Sequence, residues 1–400
     1  RVPGTAAAPG SPSSSASASV PSPGTPTPAT SAATHAPGTP TAPATPARPA
    51  IACADRVLAA MTEDQRIGQL FMGGLAAARP DPARVGILRD NHVGSIMLTG
   101  RSAAGTAATR RIVDAQQAHA DRVLGRPVRM LVATDQEGGQ VQVLSGPGFS
   151  AIPSGLVQGG WSPATLRSRA AVWAGQLRSA GVTLDLAPVS DVVPAALGTR
   201  NAPIGRYQRE YGHTATAVTS HSTAFAAGFT QSGVMTTLKH FPGLGEVLGN
   251  TDTTADVVDS VTTAGSAALA PFRTGIQAGA PFVMISSATY SRIDARHQAV
   301  FSPAVINGLL RTGLGFRGVV ISDDLGNAAA VHAVGPGQRA VSFLQAGGDM
   351  ILTVEPRTVP AMVQAVRARM HQDASFRAGV EQSVRRILAV KQRAGLLTCG

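Results

Sequence analysis

The segment Gly233-Val234-Met235-Thr236-Thr237-Leu238-Lys239-His240-Phe241-Pro242-Gly243-Leu244-Gly245 contains the pattern that decides the fold. A strand-like run, residues 233–237, leads into a cation, an imidazole and a glycine-rich loop. Loops of this kind, carried on a rigid scaffold, are where catalytic and binding groups concentrate. Of 34 basic residues only Lys239 and Lys391 are lysines. We therefore interpret the segment as a strand that delivers functional groups to a loop.

The same alternation of an apolar run and a polar or helical stretch recurs along the chain. The candidate strands are residues 68–75, 94–100, 128–135, 182–189, 234–240, 282–287, 318–323 and 349–354. Continuous apolar strands separated by amphipathic helices are typical of parallel sheets. Eight such repeats predict an α/β fold of the (β/α)8 TIM-barrel type. A doubly wound open sheet is the alternative, but no G-x-G-x-x-G motif opens the first helix.

Polar residues cluster where the predicted strands end. Asp135 and Glu137 follow the third strand, Asp185 to Asp191 the fourth, and Lys239-His240 the fifth. Ser286-Ser287 and Asp323-Asp324 end the sixth and seventh strands. Each cluster alone could be a helix N-cap. Because the C-terminal strand ends of a barrel converge on one mouth, five clusters together predict an active site there.

The first fifty residues differ from the rest of the chain. They consist almost entirely of Pro, Ala, Thr, Ser and Gly, and only Arg1 and Arg48 are charged. Such a segment cannot bury enough apolar surface to offset its ordering entropy. We expect residues 1–50 to form a disordered, low-complexity linker or stalk, and residues 51–400 to form the barrel domain.

Several features favour an extracytoplasmic protein. The chain begins at Arg rather than Met, so we expect either a trimmed chain or a removed signal peptide. Ser/Thr/Pro-rich segments often serve as stalks in exported proteins. Cys53 and Cys399 lie at the two ends of the barrel domain, which in an exported protein favours one disulfide between them. We expect the protein to be secreted or associated with the cell envelope.

The charge and hydropathy of the chain limit its partners. No apolar run reaches the roughly 20 residues of a membrane-spanning helix, so we expect no transmembrane segment. The net charge of +11 becomes +9 without Arg1 and Arg48, which could favour anionic polymers or membranes. No helix-turn-helix, finger or stacking-aromatic pattern is present, and aromatic residues are 4% of the chain. We expect a monomer that binds no nucleic acid.

Four motifs together carry a family resemblance. DQEGG (135–139), DLAPVSDV (185–192), KHFPGLG (239–245) and GFRGVVISDDLG (315–326) occur in this order. They resemble glycoside hydrolase family 3, in its β-N-acetylhexosaminidase branch and its compact single-domain form. The resemblance covers the chain from residue 53 onward. It implies a TIM-type barrel that cleaves β-glycosidic bonds with retention and needs no cofactor or metal.

The resemblance also implies roles for single residues. Asp323, the first acid of Ser322-Asp323-Asp324, matches the family's catalytic nucleophile. Asp135, Lys239 and His240 match residues that hold the hydroxyl groups of the sugar. Arg206 matches a substrate-binding arginine, although the local spacing is one residue shorter than usual.

The acid/base position departs from the family pattern. In the family branch, a loop after KHFPG-x-G ends in Asp-Ser-His, whose histidine transfers the proton. Here Asn250-Thr251-Asp252 stands at those positions. We therefore expect Asp252 to be the catalytic acid/base, which restores a pair of carboxylates. Glu246 or Asp256 could serve instead, or the protein could bind glycans without cleaving them.

The sequence thus predicts an exo-acting, retaining β-N-acetylglucosaminidase that forms a covalent glycosyl-enzyme intermediate. Its substrate would be a β-linked N-acetylglucosaminide from the cell wall, in peptidoglycan turnover. A β-glucosidase or another exo-β-glycosidase of the same family is the first alternative, because recognition of the 2-acetamido group depends on pocket shape. A non-catalytic glycan-binding envelope protein is the second.

Overall fold

The fold is that of a computed structural model, which describes residues 53–398. The predicted linker, residues 1–50, and Cys399 lie outside the described residues. Cys53 takes part in a disulfide bond. Residues 53–398 belong to one compact unit, and no helix among them is both long and apolar enough to cross a bilayer.

Eight parallel strands form the central sheet. In chain order they are β1 (Phe71–Ala76), β2 (Ser95–Thr99), β3 (Leu131–Thr134), β4 (Leu184–Asp185), β5 (Met235–Phe241), β6 (Phe282–Ile285), β7 (Val319–Ser322) and β8 (Ile351–Thr353). Strand β1 pairs with both β2 and β8. A parallel bridge between Ile321 and Met350 joins β7 to β8 and completes the ring. The predicted barrel is confirmed, and the open sheet is excluded.

Every predicted strand overlaps an observed one, but the fourth is much shorter than predicted. It was expected over residues 182–189, whereas only Leu184–Asp185 has regular pairing. Pro188 has no backbone N–H to donate to a neighbouring strand, which explains the early end. An isolated bridge between Val189 and Lys239 resumes the pairing with β5. Residues 186–191 therefore remain beside β5 at the mouth of the barrel.

Helices surround the sheet. They are α1 (Cys53–Ala60), α2 (Glu63–Gln69), α3 (Pro82–Asp90), α4 (Gly105–Gln117), α5 (Gly155–Gln158), α6 (Pro163–Ser179), α7 (Ala215–Gln231), α8 (Ala270–Gln277), α9 (Pro336–Gln345), α10 (Val359–Gln372) and α11 (Ala374–Arg393), with a π-helix at Ala304–Gly313. Ser162, Thr214 and Asp373 cap α6, α7 and α11, because their side chains accept backbone N–H groups of the first turn. The core lies inside the barrel and between strands and helices.

The second lysine of the chain stabilises the end of the barrel where the strands begin. Lys391 on α11 is fully buried, and its Nζ donates to Gln69 Oε1 at 2.6 Å and to Gly94 O at 2.7 Å. These acceptors precede β1 and β2. Burial lowers the pKa of Lys391 to about 7. A neutral amine has two N–H groups, and these two acceptors satisfy both of them.

Candidate active site

A cavity of about 270 Å³ opens at the C-terminal ends of the barrel strands. It brings together residues that are far apart in sequence: Asp135 after β3, Lys239 and His240 on β5, and Asp323 after β7. Asp252 reaches the same cavity from the loop that follows β5. Five of the six predicted site residues therefore meet in one place, as the barrel topology requires. Their roles stay predictions.

A cluster of four charged side chains forms the floor of this cavity. Lys239 Nζ donates to Asp135 Oδ1 at 2.7 Å and to Glu137 Oε1 at 2.6 Å. Arg209 grips Glu137 with two bonds, Nε to Oε2 at 2.9 Å and Nη2 to Oε1 at 2.7 Å. Lys239 and Glu137 are almost inaccessible to solvent, whereas Asp135 and Arg209 remain partly accessible. Glu137 is thus the counter-ion that two cations share.

The charges of this cluster stabilise one another. Burial opposes ionisation of Glu137, but the charges of Arg209 and Lys239 outweigh it and hold the pKa of Glu137 at about 2. Burial likewise opposes the charge on Lys239, and Asp135 and Glu137 outweigh it, so the pKa of Lys239 lies above its usual range. Both side chains are therefore ionised at neutral pH. Two of the three N–H groups of Lys239 are used here, which leaves one for a ligand.

Asp191 orients His240. The fully buried Asp191 accepts N–H groups from the backbone of His240 at 3.1 Å and of Leu244 at 2.8 Å. His240 Nδ1 lies 2.8 Å from Asp191 Oδ2, and because an ionised carboxylate can only accept, Nδ1 carries the proton. His240 Nε2 then faces Arg209 Nη2 at 3.4 Å. The ring edge of His240 is held at the cavity in one orientation.

Asn201 links the loops that follow β4 and β5. Its Nδ2 donates to the carbonyl oxygens of Leu244, Gly245 and Val247 at 2.7, 3.1 and 2.8 Å. Its Oδ1 accepts the N–H groups of Ile204 and Gly205. The segment that carries Arg209 and the segment that leads to Asp252 are therefore fixed to one buried amide.

Asp323 and Asp324 are adjacent but have different environments. Both carboxylate oxygens of Asp324 accept hydrogen bonds from the backbone, namely from the N–H groups of Gly326, Asn327 and Val354 at 2.8–3.0 Å. Asp323 accepts only the N–H of Asp324, at 2.8 Å, among the bonds of the described residues. Burial raises the pKa of Asp323 to about 6; His240 acts against this rise, and the nearby charge of Asp252 adds to it. Asp323 is the member of the pair that is available for chemistry.

The segment Asn250-Thr251-Asp252 is attached to the loop after β7. The N–H groups of Ala329 and Ala330 donate to the carbonyl oxygens of Asp252 and Thr251 at 3.1 and 3.0 Å. Asn250 Oδ1 accepts the N–H of Asp252 at 3.0 Å. These bonds keep the exposed carboxylate of Asp252 at the rim of the cavity that Asp323 lines.

The two other acids considered for proton transfer lie elsewhere. Neither Glu246 nor Asp256 is among the described residues that line the cavity. Glu246 is partly buried, and its pKa is raised by burial and by Asp259. Asp256 is exposed. Of the three acids, the geometry favours Asp252.

The arginine at the cavity is Arg209 and not the predicted Arg206. The sequence pointed to Arg206, but Arg206 is exposed on the short 3₁₀ helix Gly205–Tyr207 and does not line the cavity. The helix turns the chain, so that Arg209, three residues later, points inward and binds Glu137. Glu137 was also missed as a site residue. Its position two residues after Asp135, at the end of a strand, is the signal that could have identified it.

The arrangement has the groups that acid–base and nucleophilic chemistry need. Two carboxylates, Asp323 and Asp252, line one cavity together with two cations and an imidazole. Within residues 53–398, no three His, Cys, Asp or Glu side chains are grouped so that they could hold a metal ion. The site can bind a neutral polyhydroxylated ligand and attack it with a carboxylate.

Comparisons with known proteins agree with this chemistry. The profile of the family described as "Glycosyl hydrolase family 3 N terminal domain" matches residues 62–390. A β-hexosaminidase of Xylella fastidiosa (strain M23) is 35% identical over 316 residues, which cover 77% of this chain and 90% of the relative.

Solved structures are similar over most of the chain. The crystal structure of a β-N-acetylhexosaminidase from Beutenbergia cavernae has a TM-score of 0.81 at 47% identity and covers 83% of this chain and 99% of that chain. A glycoside hydrolase family 3 β-N-acetylglucosaminidase from Paenibacillus sp. str. FPU-7 has a TM-score of 0.74 at 29% identity, with 85% and 65% covered. The family that the motifs resemble is confirmed.

Asp185 is a further buried acid below the cluster. Its Oδ1 accepts the N–H of Gln136 at 2.9 Å, and its Oδ2 has no partner among the described residues. Burial raises the pKa of Asp185 well above its usual range. The N–H of Gln136 and the charge of Lys239 act against this rise, and the charges of Asp135 and Glu137 add to it. Asp185 therefore positions the Asp135 segment through its bond to Gln136.

This account predicts different results for two substitutions of Asp185. Asp185→Asn keeps the oxygen that accepts from Gln136 and removes only a charge that burial disfavours, so kcat/KM on an aryl glycoside and the melting temperature should change little. Asp185→Ala leaves a buried N–H without a partner, which costs about 1–3 kcal/mol, so stability should fall and KM should rise. An Asp185→Asn variant as impaired as Asp185→Ala would show that the ionised form is needed.

Proposed function

Because this chain belongs to glycosyl hydrolase family 3 and is a glycosidase, we propose that it is an exo-acting β-N-acetylglucosaminidase that cleaves with retention of configuration. The observation that carries the proposal is the pair of carboxylates, Asp323 and Asp252, at one cavity whose floor holds hydroxyl-binding groups. The family resemblance assigned the same two positions to nucleophile and acid/base.

In the first step, Asp323 attacks the anomeric carbon and forms an ester with the sugar. The bond to the leaving-group oxygen breaks, and that oxygen takes the proton of Asp252. Asp323 has to be ionised to attack, and Asp252 has to be protonated to donate. Repulsion between the two carboxylates disfavours the doubly ionised pair. Burial draws the proton toward Asp323, so the bound sugar has to place it on Asp252 for this step.

In the second step, a water molecule gives its proton to Asp252 and its oxygen to the anomeric carbon. The ester bond breaks, and Asp323 returns to its ionised form. Both carboxylates are then as they were at the start. No cofactor takes part in either step.

The other cavity residues bind the sugar. Asp135 accepts hydroxyl protons, and the free N–H of Lys239 donates to a hydroxyl oxygen. His240 and Arg209, which takes the role first given to Arg206, complete the polar side. A volume of about 270 Å³ lies just below the range of about 300–1,000 Å³ for small-molecule sites. This size supports binding of one terminal sugar and hence exo-action.

We further propose that the substrates are N-acetylglucosaminides released from cell walls, and that the protein acts outside the cytoplasm. The disulfide bond of Cys53 supports an oxidising compartment. The Pro/Ala/Thr/Ser-rich composition of residues 1–50 supports a stalk of the kind found in exported proteins.

A panel of 4-nitrophenyl β-glycosides tests the proposed specificity. We expect release of nitrophenol from the N-acetylglucosaminide and little from the glucoside. Release mainly from the glucoside would favour the β-glucosidase alternative. Release from no member of the panel, with binding of N-acetylglucosamine intact, would favour a glycan-binding protein without activity.

The nucleophile can be identified by covalent trapping. A fluorinated slow substrate should label Asp323, because fluorine slows hydrolysis of the intermediate more than it prevents attack, and peptide mass analysis should locate the label. Asp323→Asn should fold and bind sugar but should neither turn over nor be labelled. Asp324→Asn is the matched control, and a label on Asp324 in the parent protein would reverse the assignment.

The loss of rate on removal of the Asp252 carboxylate should depend on the leaving group of the substrate. Asp252→Ala should slow cleavage of a disaccharide by roughly 100- to 10,000-fold, the usual contribution of general acid–base catalysis. A substrate with an acidic phenol leaving group should lose much less in its first step. Azide attacks the glycosyl-enzyme without a general base, so it should restore turnover of this phenol substrate by Asp252→Ala. Glu246→Ala and Asp256→Ala are controls, and the same pattern in either of them would place the proton transfer there.

The pH profile provides an independent check on the pair. Attack needs ionised Asp323, whose pKa is raised to about 6 by burial and in part by Asp252, so kcat/KM of the parent should fall as pH drops through about 6. In Asp252→Asn the repulsion is absent, so this acidic limb should move to lower pH. A limb that stays in place would mean that Asp252 does not interact with the nucleophile.

A further inference from the structure

A short hairpin at the opposite end of the barrel has an exposed leucine at its tip. Arg122–Val123 pairs with Arg126–Pro127 in antiparallel fashion, and Leu124 and Gly125 form the turn. The hairpin precedes β3, so it lies at the end of the barrel where the strands begin, away from the cavity of Asp323. Leu124 is 64% exposed, more than any other large apolar residue reported for the described chain.

The backbone at this tip disfavours leucine. The φ angles of Leu124 and Gly125 are +52° and +75°. Two-residue hairpin turns with positive φ at both positions strongly prefer Asn-Gly or Asp-Gly, because a larger L-residue is strained in the left-handed region. Burial does not offset this strain, since most of the Leu124 side chain is in solvent. A strained, exposed leucine is the kind of outlier that points to a contact outside the chain.

Arginines surround the leucine. Arg122, Arg126 and Arg129 are exposed on and beside the hairpin, and Arg56 on α1 lines the same surface cavity as Leu124 and Arg126. None of the four makes an ion pair with a carboxylate within residues 53–398. The neighbouring acids are already occupied, Asp121 by His92 and Asp55 by Arg385. The surface around Leu124 is therefore cationic.

We propose that this hairpin, with Arg56, Arg122, Leu124, Arg126 and Arg129, docks on the surface of an anionic phospholipid bilayer. An apolar side chain inside a ring of cations fits an interface where the acyl boundary takes the leucine and the phosphates take the guanidinium groups. A soluble polyanion would bind the arginines but would leave Leu124 in water. The proposal does not depend on the glycosidase chemistry.

Docking through the hairpin orients the barrel in a way that suits an enzyme with soluble substrates. The hairpin and the active-site cavity lie at opposite ends of the barrel, so docking leaves the mouth facing away from the bilayer. Few groups are involved, so the contact is reversible and weakened by salt. Each arginine near an anionic surface should strengthen binding by about five-fold, and insertion of the leucine by about ten-fold or more.

Vesicle co-sedimentation of the full chain tests the proposal. The probes are vesicles of phosphatidylcholine alone and of phosphatidylcholine mixed equally with phosphatidylglycerol, at low and raised salt. We expect binding to the anionic vesicles only, reduced by salt. Leu124→Asn and the double variant Arg126→Gln/Arg129→Gln should both weaken it strongly. Turnover of a soluble aryl glycoside should be unchanged in both.

Two control variants remove the same types of side chain, an exposed apolar residue and a pair of exposed arginines, from other surfaces of the protein. Val172→Asn removes an exposed apolar side chain on α6, and Arg292→Gln/Arg296→Gln removes two exposed charges on a segment between β6 and β7. Neither should change vesicle binding. Because asparagine tolerates positive φ, Leu124→Asn should keep or raise the melting temperature.

Several outcomes would overturn the proposal. One is no binding to anionic vesicles, and another is binding that both hairpin variants retain. Displacement by soluble polyphosphate together with unchanged binding of Leu124→Asn would identify a polyanion site instead. A clear fall in the melting temperature of Leu124→Asn would show that this chain's own residues cover Leu124.

Discussion

The active site depends on the burial of two cations with two carboxylates. Lys239, Arg209, Asp135 and Glu137 are joined by bonds of 2.6–2.9 Å. Removal of one partner from a buried pair leaves an uncompensated charge and typically costs about 3–5 kcal/mol. The ends of β3 and β5 and the loop after β4 therefore have to meet in one geometry. The cluster fixes the geometry of this part of the site because its own charges hold it together.

The two lysines show how strongly the surroundings of a buried lysine determine its pKa. Both are buried, and burial opposes the charge on both. Lys239 has two carboxylate partners and its pKa is raised, whereas Lys391 has an amide and a carbonyl oxygen and its pKa is lowered to about 7. At the mouth, lysine is a cation that holds two acids in place. At the other end of the barrel, it is a donor of hydrogen bonds between helix and strands.

The sequence predicted the barrel because its signals are local. Apolar runs and the polar residues after them are set by short-range pattern, and closure of eight parallel strands then brings those residues to one rim. Arg206 was chosen because it matches a substrate-binding arginine of the family, although the local spacing is one residue shorter than usual. The 3₁₀ turn at Gly205–Tyr207 determines which arginine faces the cavity. No sequence signal singled out Asn201, because its five bonds between two loops depend on tertiary contacts. The position of Asp185 could be predicted from the sequence, but not that its Oδ2 has no partner within residues 53–398.

The position of Asp252 near Asp323 sets the electrostatic problem that the proposed chemistry has to solve. Burial raises the pKa of Asp323, and the carboxylate of Asp252 adds to this rise because it repels a negative charge on Asp323. Both effects favour a proton on Asp323, whereas the proposed cleavage needs that proton on Asp252. The bound sugar would have to reverse this preference. The bonds from Ala329 and Ala330 matter for this reason, because they hold Asp252 close enough for the repulsion to act.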